Sequence, residues 1–310
     1  MEPTLINKPK EISVKEGTHI LVDEIKDYIQ NGTPMSELTE IVLTIYKPQK
    51  SLQEILQNKN KSEIAGELSR AINLFSKEEI DAAISTGKSL AQEISPNHIF
   101  NNYPIFFLYY PTRDGAKSLN GQGCAINIRE YLRLDKAKGL ELLASSIGHE
   151  WTHLYIRELN LQPPINDKIS IDQYINNFLW IEGLTTLMEI YKEPYQKEFI
   201  NDADFWIMTI NKWMNPQTKE EEKLSLLQEI KRTKSITEWA NYYKIEIDYL
   251  IDPKENADSN FKRILTNMNG MGYHIGYFLW KKQIEKGKQL PELVSNGYTS
   301  MRAWIKEYIQ

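Results

Sequence analysis

Apolar residues recur three and four positions apart between Leu21 and Glu93, as in Ile64, Leu68, Ile72 and Leu74 and then Ile80, Ala83 and Ile84. That period marks successive amphipathic helices, ended by the Ser95-Pro96-Asn97 break. The pattern then changes. Ile105 to Tyr110 is an unbroken apolar run stopped by Pro111, and Cys124 to Ile128 is a second, with the glycine-rich stretch from Asp114 to Gly123 between them. Both read as short strands of a small sheet. From Asp135 to Asn160 the helical period returns as one long helix, followed by the loop from Gln162 to Asp167 and a further helix from Asp172 to Tyr191, closed by Pro194. Helical stretches follow around Phe205–Trp213, Glu220–Ile230, the aromatic segment Ile236–Leu250, Gly270–Lys282 and Thr299–Ile309. The expected fold is mainly helical α+β, with an N-terminal helical lobe over 1–95, a core over 96–193 that holds the sheet, and a C-terminal helical lobe over 194–310.

Composition narrows the chemistry. With 310 residues, 41% of them hydrophobic, the chain can bury a real core. Its net charge of −5, with Lys and Arg spread along the length, offers no basic face for phosphates, so nucleic acid is not an expected partner. No segment reaches the roughly 18 apolar residues of a membrane span, and the first ten residues lack the apolar stretch of a secretory signal. A soluble cytoplasmic protein is expected, or an exported one if a signal has been removed. The single cysteine, Cys124, excludes a disulfide framework and a cysteine-rich metal site. Any metal must be held by histidines and carboxylates.

Such a set is present. His149-Glu150-Trp151-Thr152-His153 is an HExxH motif inside the long helix. Four residues of helix turn the chain by about 400°, so both imidazoles project from one face, a turn apart, as two ligands of one zinc require. Glu150 falls between them, placed to take a proton from water. From Leu142 to Ile156 Glu150 is the only charged residue, which fits a buried helix better than a surface helix with two incidental histidines. A catalytic zinc keeps three protein ligands and one open position. The metzincin pattern is excluded, because Ile156 and Leu159 stand where its glycine and third histidine belong. The next helix offers Glu182 amid apolar residues, followed by Gly183, which would allow a close approach of the two helices. Glu189 and Asp172 are the alternatives, Glu189 also being suited to orient a ligand histidine.

At these residues the chain resembles the gluzincins, zinc peptidases in which HExxH is followed on a second helix by a glutamate ligand. Glu182-Gly183-Leu184-Thr185 is similar to the Glu-Gly-Phe-Ala element of their aminopeptidase branch, and Gly272-Tyr273-His274-Ile275-Gly276-Tyr277 to a Gly-Tyr-x-x-x-Tyr segment of their oligopeptidase branch. The resemblance is nearest to bacterial families described only as HExxH zinc proteases, and it runs from about Gly121 to Trp280. It implies a zincin-like core over 96–193, one Zn²⁺ per chain on His149, His153 and Glu182, Glu150 as general base, and Tyr273 or His274 as oxyanion donor. A peptide or protein is the implied substrate. Tyr273 and Tyr277 also fit plain helix packing, with Gly272 and Gly276 marking close contact. Where aminopeptidases carry the glutamate that grips a free amine, this chain has Ile126, so endopeptidase or oligopeptidase action is expected, with aminopeptidase action or a non-catalytic zinc or partner-binding module as alternatives. The strand around Ile126 is expected to edge the cleft and to pair with an extended peptide.

Overall fold

A computed structural model describes residues 12, 14, 16–46, 52–57, 61–95, 103–111, 115–119, 121–159, 161, 169–188, 202–243, 246–266 and 270–310. They fall into two compact units, one ending at Glu158 and the other comprising the described residues from Leu159 onward. The chain is mainly helical with one small sheet among the described residues. No helix among them is long and apolar enough to cross a membrane.

The first unit opens with strand β1 (Thr18–Ile20) and helices α1 (Val22–Asn31), α2 (Glu37–Tyr46), α3 (Leu52–Gln57), α4 (Lys61–Ile72) and α5 (Lys77–Gln92). Strands β2 (Ile105–Leu108), β3 (Ala116–Ser118) and β4 (Cys124–Asn127) follow, then a 3₁₀ turn (Ile128–Arg133) and the long helix α6 (Lys136–Glu158). The sheet order is β1-β2-β4-β3; β1, β2 and β4 run parallel and β3 antiparallel to β4. Ile105 pairs with both Thr18 and Cys124, so the N-terminal segment contributes a strand as well as helices. All four residues of β2 and of β4 are buried, which explains why each is a continuous apolar run and not an alternating one. Gly123 starts β4 at φ +139°, and a Cβ there would stand 2.6 Å from the Pro104 carbonyl oxygen. Only glycine suits that position.

Two polar devices fix the end of the sheet. Asn127 extends the β2–β4 ladder with its side chain: Oδ1 accepts the Tyr110 N–H at 3.0 Å, and Nδ2 donates to the Tyr110 carbonyl at 3.0 Å. The Arg129 guanidinium grips Glu67 of α4 with two bonds, at 2.8 and 3.0 Å, while the Tyr109 hydroxyl donates to the same carboxylate at 2.6 Å. Charge-assisted pairs of that fork geometry are among the stronger polar contacts. Helix α6 packs on β3, β4 and α5. Its contact with α5 is close: a Cβ on Gly87 would stand 2.8 Å from the Ala144 carbonyl oxygen.

The second unit is helical: α7 (Ile171–Leu187), α8 (Ala203–Trp213), α9 (Glu220–Ile230), α10 (Lys234–Tyr243), α11 (Ile247–Leu250), α12 (Ala257–Thr266), α13 (Met271–Glu285), α14 (Leu290–Ser295) and α15 (Ser300–Ile309). A capping box starts α7, with Ser170 Oγ accepting the Gln173 N–H and the Gln173 side chain returning to the Ser170 N–H. Helices α7 and α13 lie against each other along most of their length. They meet backbone to backbone at Gly183 and Gly276: a Cβ on Gly183 would be 2.3 Å from the Gly276 carbonyl carbon, and one on Gly276 would be 2.3 Å from the Leu179 carbonyl oxygen. The Trp280 indole N–H donates to the Trp180 carbonyl at 2.8 Å across the same contact. Gly183 therefore serves the approach of α7 to α13. Trp213 stacks on Phe261 at 4.0 Å, and its N–H shares the Asp258 carboxylate with Lys223.

Replacing Gly276 by Ala should destabilise the protein by at least about 1–3 kcal/mol, the usual cost of overpacking a tight contact. Urea unfolding followed by tryptophan fluorescence reads this directly. An unchanged midpoint would mean that α7 and α13 are not in backbone contact.

Candidate metal centre

Asp135 starts α6, its Oδ1 accepting the Lys138 N–H at 3.0 Å. The helix is buried along most of its length, with Leu143, Ile147, Trp151, Leu154 and Ile156 in the core. His149 and His153 are half-buried on it, four residues apart, and their rings tilt by 59° with centroids 4.9 Å apart. The two Nε2 atoms stand 3.1 Å from each other. Two nitrogens each about 2.0–2.1 Å from one tetrahedral zinc would stand roughly 3.3–3.4 Å apart, so the imidazoles are near a chelating geometry already.

Glu150 is buried between them in sequence, and its charge is felt on the sheet side of α6. The Cys124 thiol of β4 is pushed well above its ordinary value, first by burial and then by the charge of Glu150. Tyr131 is raised as well, chiefly by burial, with Glu130 and Glu150 adding to it, while the hydrogen bond from its hydroxyl to Ser146 Oγ at 3.0 Å opposes the rise. Cys124 is thus a protonated, fully buried thiol.

On α7 Glu182 is half-buried, in a helix whose neighbours Ile181, Gly183, Leu184, Thr185 and Thr186 are buried. His149 and His153 of the first unit and Glu182 of the second are, among the described residues, a group that could hold a metal ion, each offering one ligand atom. Two imidazole nitrogens and one carboxylate oxygen are a donor set that suits zinc. Of the alternatives, Asp172 is engaged elsewhere, by Arg302 at 3.1 Å and by the Asn176 side chain at 3.2 Å. Glu189 lies outside the described residues.

Tyr273 and His274 are adjacent on α13, yet their surroundings differ. His274 is 1% exposed, while Tyr273 remains half-buried with its ring edge-on to Phe178 of α7 at 5.4 Å. The packing expected of Gly272 and Gly276 is present: Gly276 faces Gly183, and a Cβ on Gly272 would stand 2.5 Å from the Phe178 ring. One expectation fails. The strand around Ile126 is not open to pairing with an extended peptide, because β4 is hydrogen-bonded to β2 on one side and β3 on the other. The sequence missed β3 because three residues, Ala116-Lys117-Ser118, carry no apolar alternation.

No protein-family model, curated protein or solved structure matches the chain.

Zinc should bind the purified protein at one equivalent per chain, and replacing Glu182 by Ala should weaken binding sharply without unfolding the helices. Competition with a chromogenic chelator measures both. Full, tight occupancy in the Glu182→Ala variant would remove Glu182 from the ligand set.

Proposed function

We propose that this chain is a zinc-dependent peptidase of the gluzincin kind, hydrolysing internal bonds of peptides or oligopeptides. The observation that carries the reading is the pair of Nε2 atoms 3.1 Å apart on a buried helix, with a glutamate next to the first histidine. His149, His153 and Glu182 would hold the metal. Zinc bound there would polarise a substrate carbonyl and lower the pKa of a bound water.

The chain's own residues supply the rest. Glu150 accepts the proton of the attacking water and returns it to the leaving amine, a task that needs one carboxylate within reach of both atoms. Burial of Glu150 keeps competing water away from it. Tyr273 donates a hydrogen bond to the oxygen on which charge develops. It is the better candidate than His274, since a side chain 1% exposed does not meet a substrate and a half-buried one does. Ile126 is fully buried within β4, so nothing at that place grips a substrate amine, which favours endo- or oligopeptidase over aminopeptidase action. A purely structural zinc would need no base beside its ligands and would close its fourth position with protein.

Glu150→Gln keeps the shape and removes the base. It should retain zinc while cleavage of an unstructured peptide falls by at least about 10²-fold. Tyr273→Phe should cost about 10–10³-fold, since one oxyanion donor is lost and the metal stays. Chromatographic peptide assays on zinc-loaded protein decide the matter. A Glu150→Gln variant as active as wild type, or a wild type that cleaves no peptide from a diverse library, would overturn the peptidase reading.

A further inference from the structure

Residues four apart on a helix lie one above the other, so the face of α7 that carries Glu182 also carries Phe178 and Tyr174, one and two turns toward its start. Their rings are stacked, with centroids 6.1 Å apart and planes 11° from parallel. Tyr273 of α13 closes on Phe178 edge-on at 5.4 Å, in the space that Gly272 leaves for the Phe178 ring. At the far end the Lys262 ammonium of α12 stands 4.7 Å from the centre of the Tyr174 ring.

This row is built differently from the core beside it. Ile175 and Leu179, on the adjoining face of α7, are fully buried, whereas Tyr174, Phe178, Tyr273 and Lys262 all keep part of their surface in contact with solvent. Rings that only filled a core would be covered as Leu179 is. Three aromatic rings held rigid by one another, partly open and flanked by a cation, make a surface for a flat apolar group next to a negative charge.

We infer that Tyr174, Phe178 and Tyr273 form a substrate subsite that takes an aromatic side chain, and that Lys262 receives a carboxylate beyond it. Eight residues of helix between Tyr174 and Glu182 span about 12 Å, which is the length of roughly three to four residues of extended peptide. The favoured ligand is therefore an oligopeptide with an aromatic residue beside the scissile bond and, about three residues on, either an acidic side chain or its own C-terminal carboxylate. The inference rests on the reading of Glu182 as a metal ligand for the position of that bond.

The test uses the zinc-loaded full chain and a set of labelled hexapeptides. They carry Phe or Ala at the aromatic position, end in a free acid or an amide, and in the amide series include or lack a glutamate. Fluorescence anisotropy reads affinity, and chromatography of the same samples reads cleavage. Phe over Ala should tighten binding about 10-fold, as expected for burying a ring against rings. A free acid or an internal glutamate should tighten it a further few-fold, and which of the two does so identifies the source of the carboxylate. Lys262→Met should remove that second advantage, and Phe178→Leu, which keeps apolar bulk, should shrink the first. Equal binding of the Phe and Ala peptides, no binding of any, or a carboxylate advantage that survives Lys262→Met would overturn the subsite. Preferential binding without cleavage would uphold the subsite and sink the peptidase reading; cleavage without preference would do the reverse.

Discussion

Two imidazole nitrogens 3.1 Å apart on one buried helix set the terms for everything around them. Polar groups taken from water cost free energy unless something satisfies them, and the cost rises as the surroundings become more apolar. Helix α6 carries His149, Glu150 and His153 among buried positions given to Leu143, Ile147, Trp151, Leu154 and Ile156. A cation between the two rings would accept a lone pair from each at once. The rigidity needed for this comes from packing that tolerates no spare atom. Gly87 admits α5 against α6, and Asn127 and Glu67 lock the sheet end on which α6 rests.

The second unit solves a related problem by other means. Its α7 and α13 approach until the Gly183 and Gly276 backbones touch, and that contact determines which residues the two helices present together. Glu182, Phe178 and Tyr174 follow one another along one face of α7, and Tyr273 reaches Phe178 from α13. A single added methyl group at the glycines would move these residues relative to one another by more than a catalytic or binding geometry tolerates.

Much of this was legible in the chain. The long helix, its HExxH face and its burial follow from a 3.6-residue apolar period interrupted only by Glu150, and the continuous runs at Ile105–Leu108 and Cys124–Asn127 became strands buried on both faces. What escaped has physical reasons. Strands β1 and β3 are three residues each, held by pairing with β2 and β4 and not by any pattern of their own. Missing β3 left β4 looking free to pair with a peptide. Helix α12 was readable in Phe261, Ile264 and Leu265 but was hidden by its polar start at Asp258, Ser259 and Asn260. Gly183 was noticed for the right property, and the contact it makes with Gly276 of α13 was not foreseen, because sequence shows that a close contact is possible and not with which helix.

The central claim is that the α6 histidine pair is half of a metal centre completed by a carboxylate. X-ray absorption at the zinc edge of the loaded protein measures this without any assay of activity. The account predicts a first shell of two imidazole nitrogens at about 2.0–2.1 Å together with oxygen at a similar distance and no sulfur. A sulfur shell near about 2.3 Å, which would bring in Cys124, or a shell of oxygens with no imidazole scattering, would contradict it.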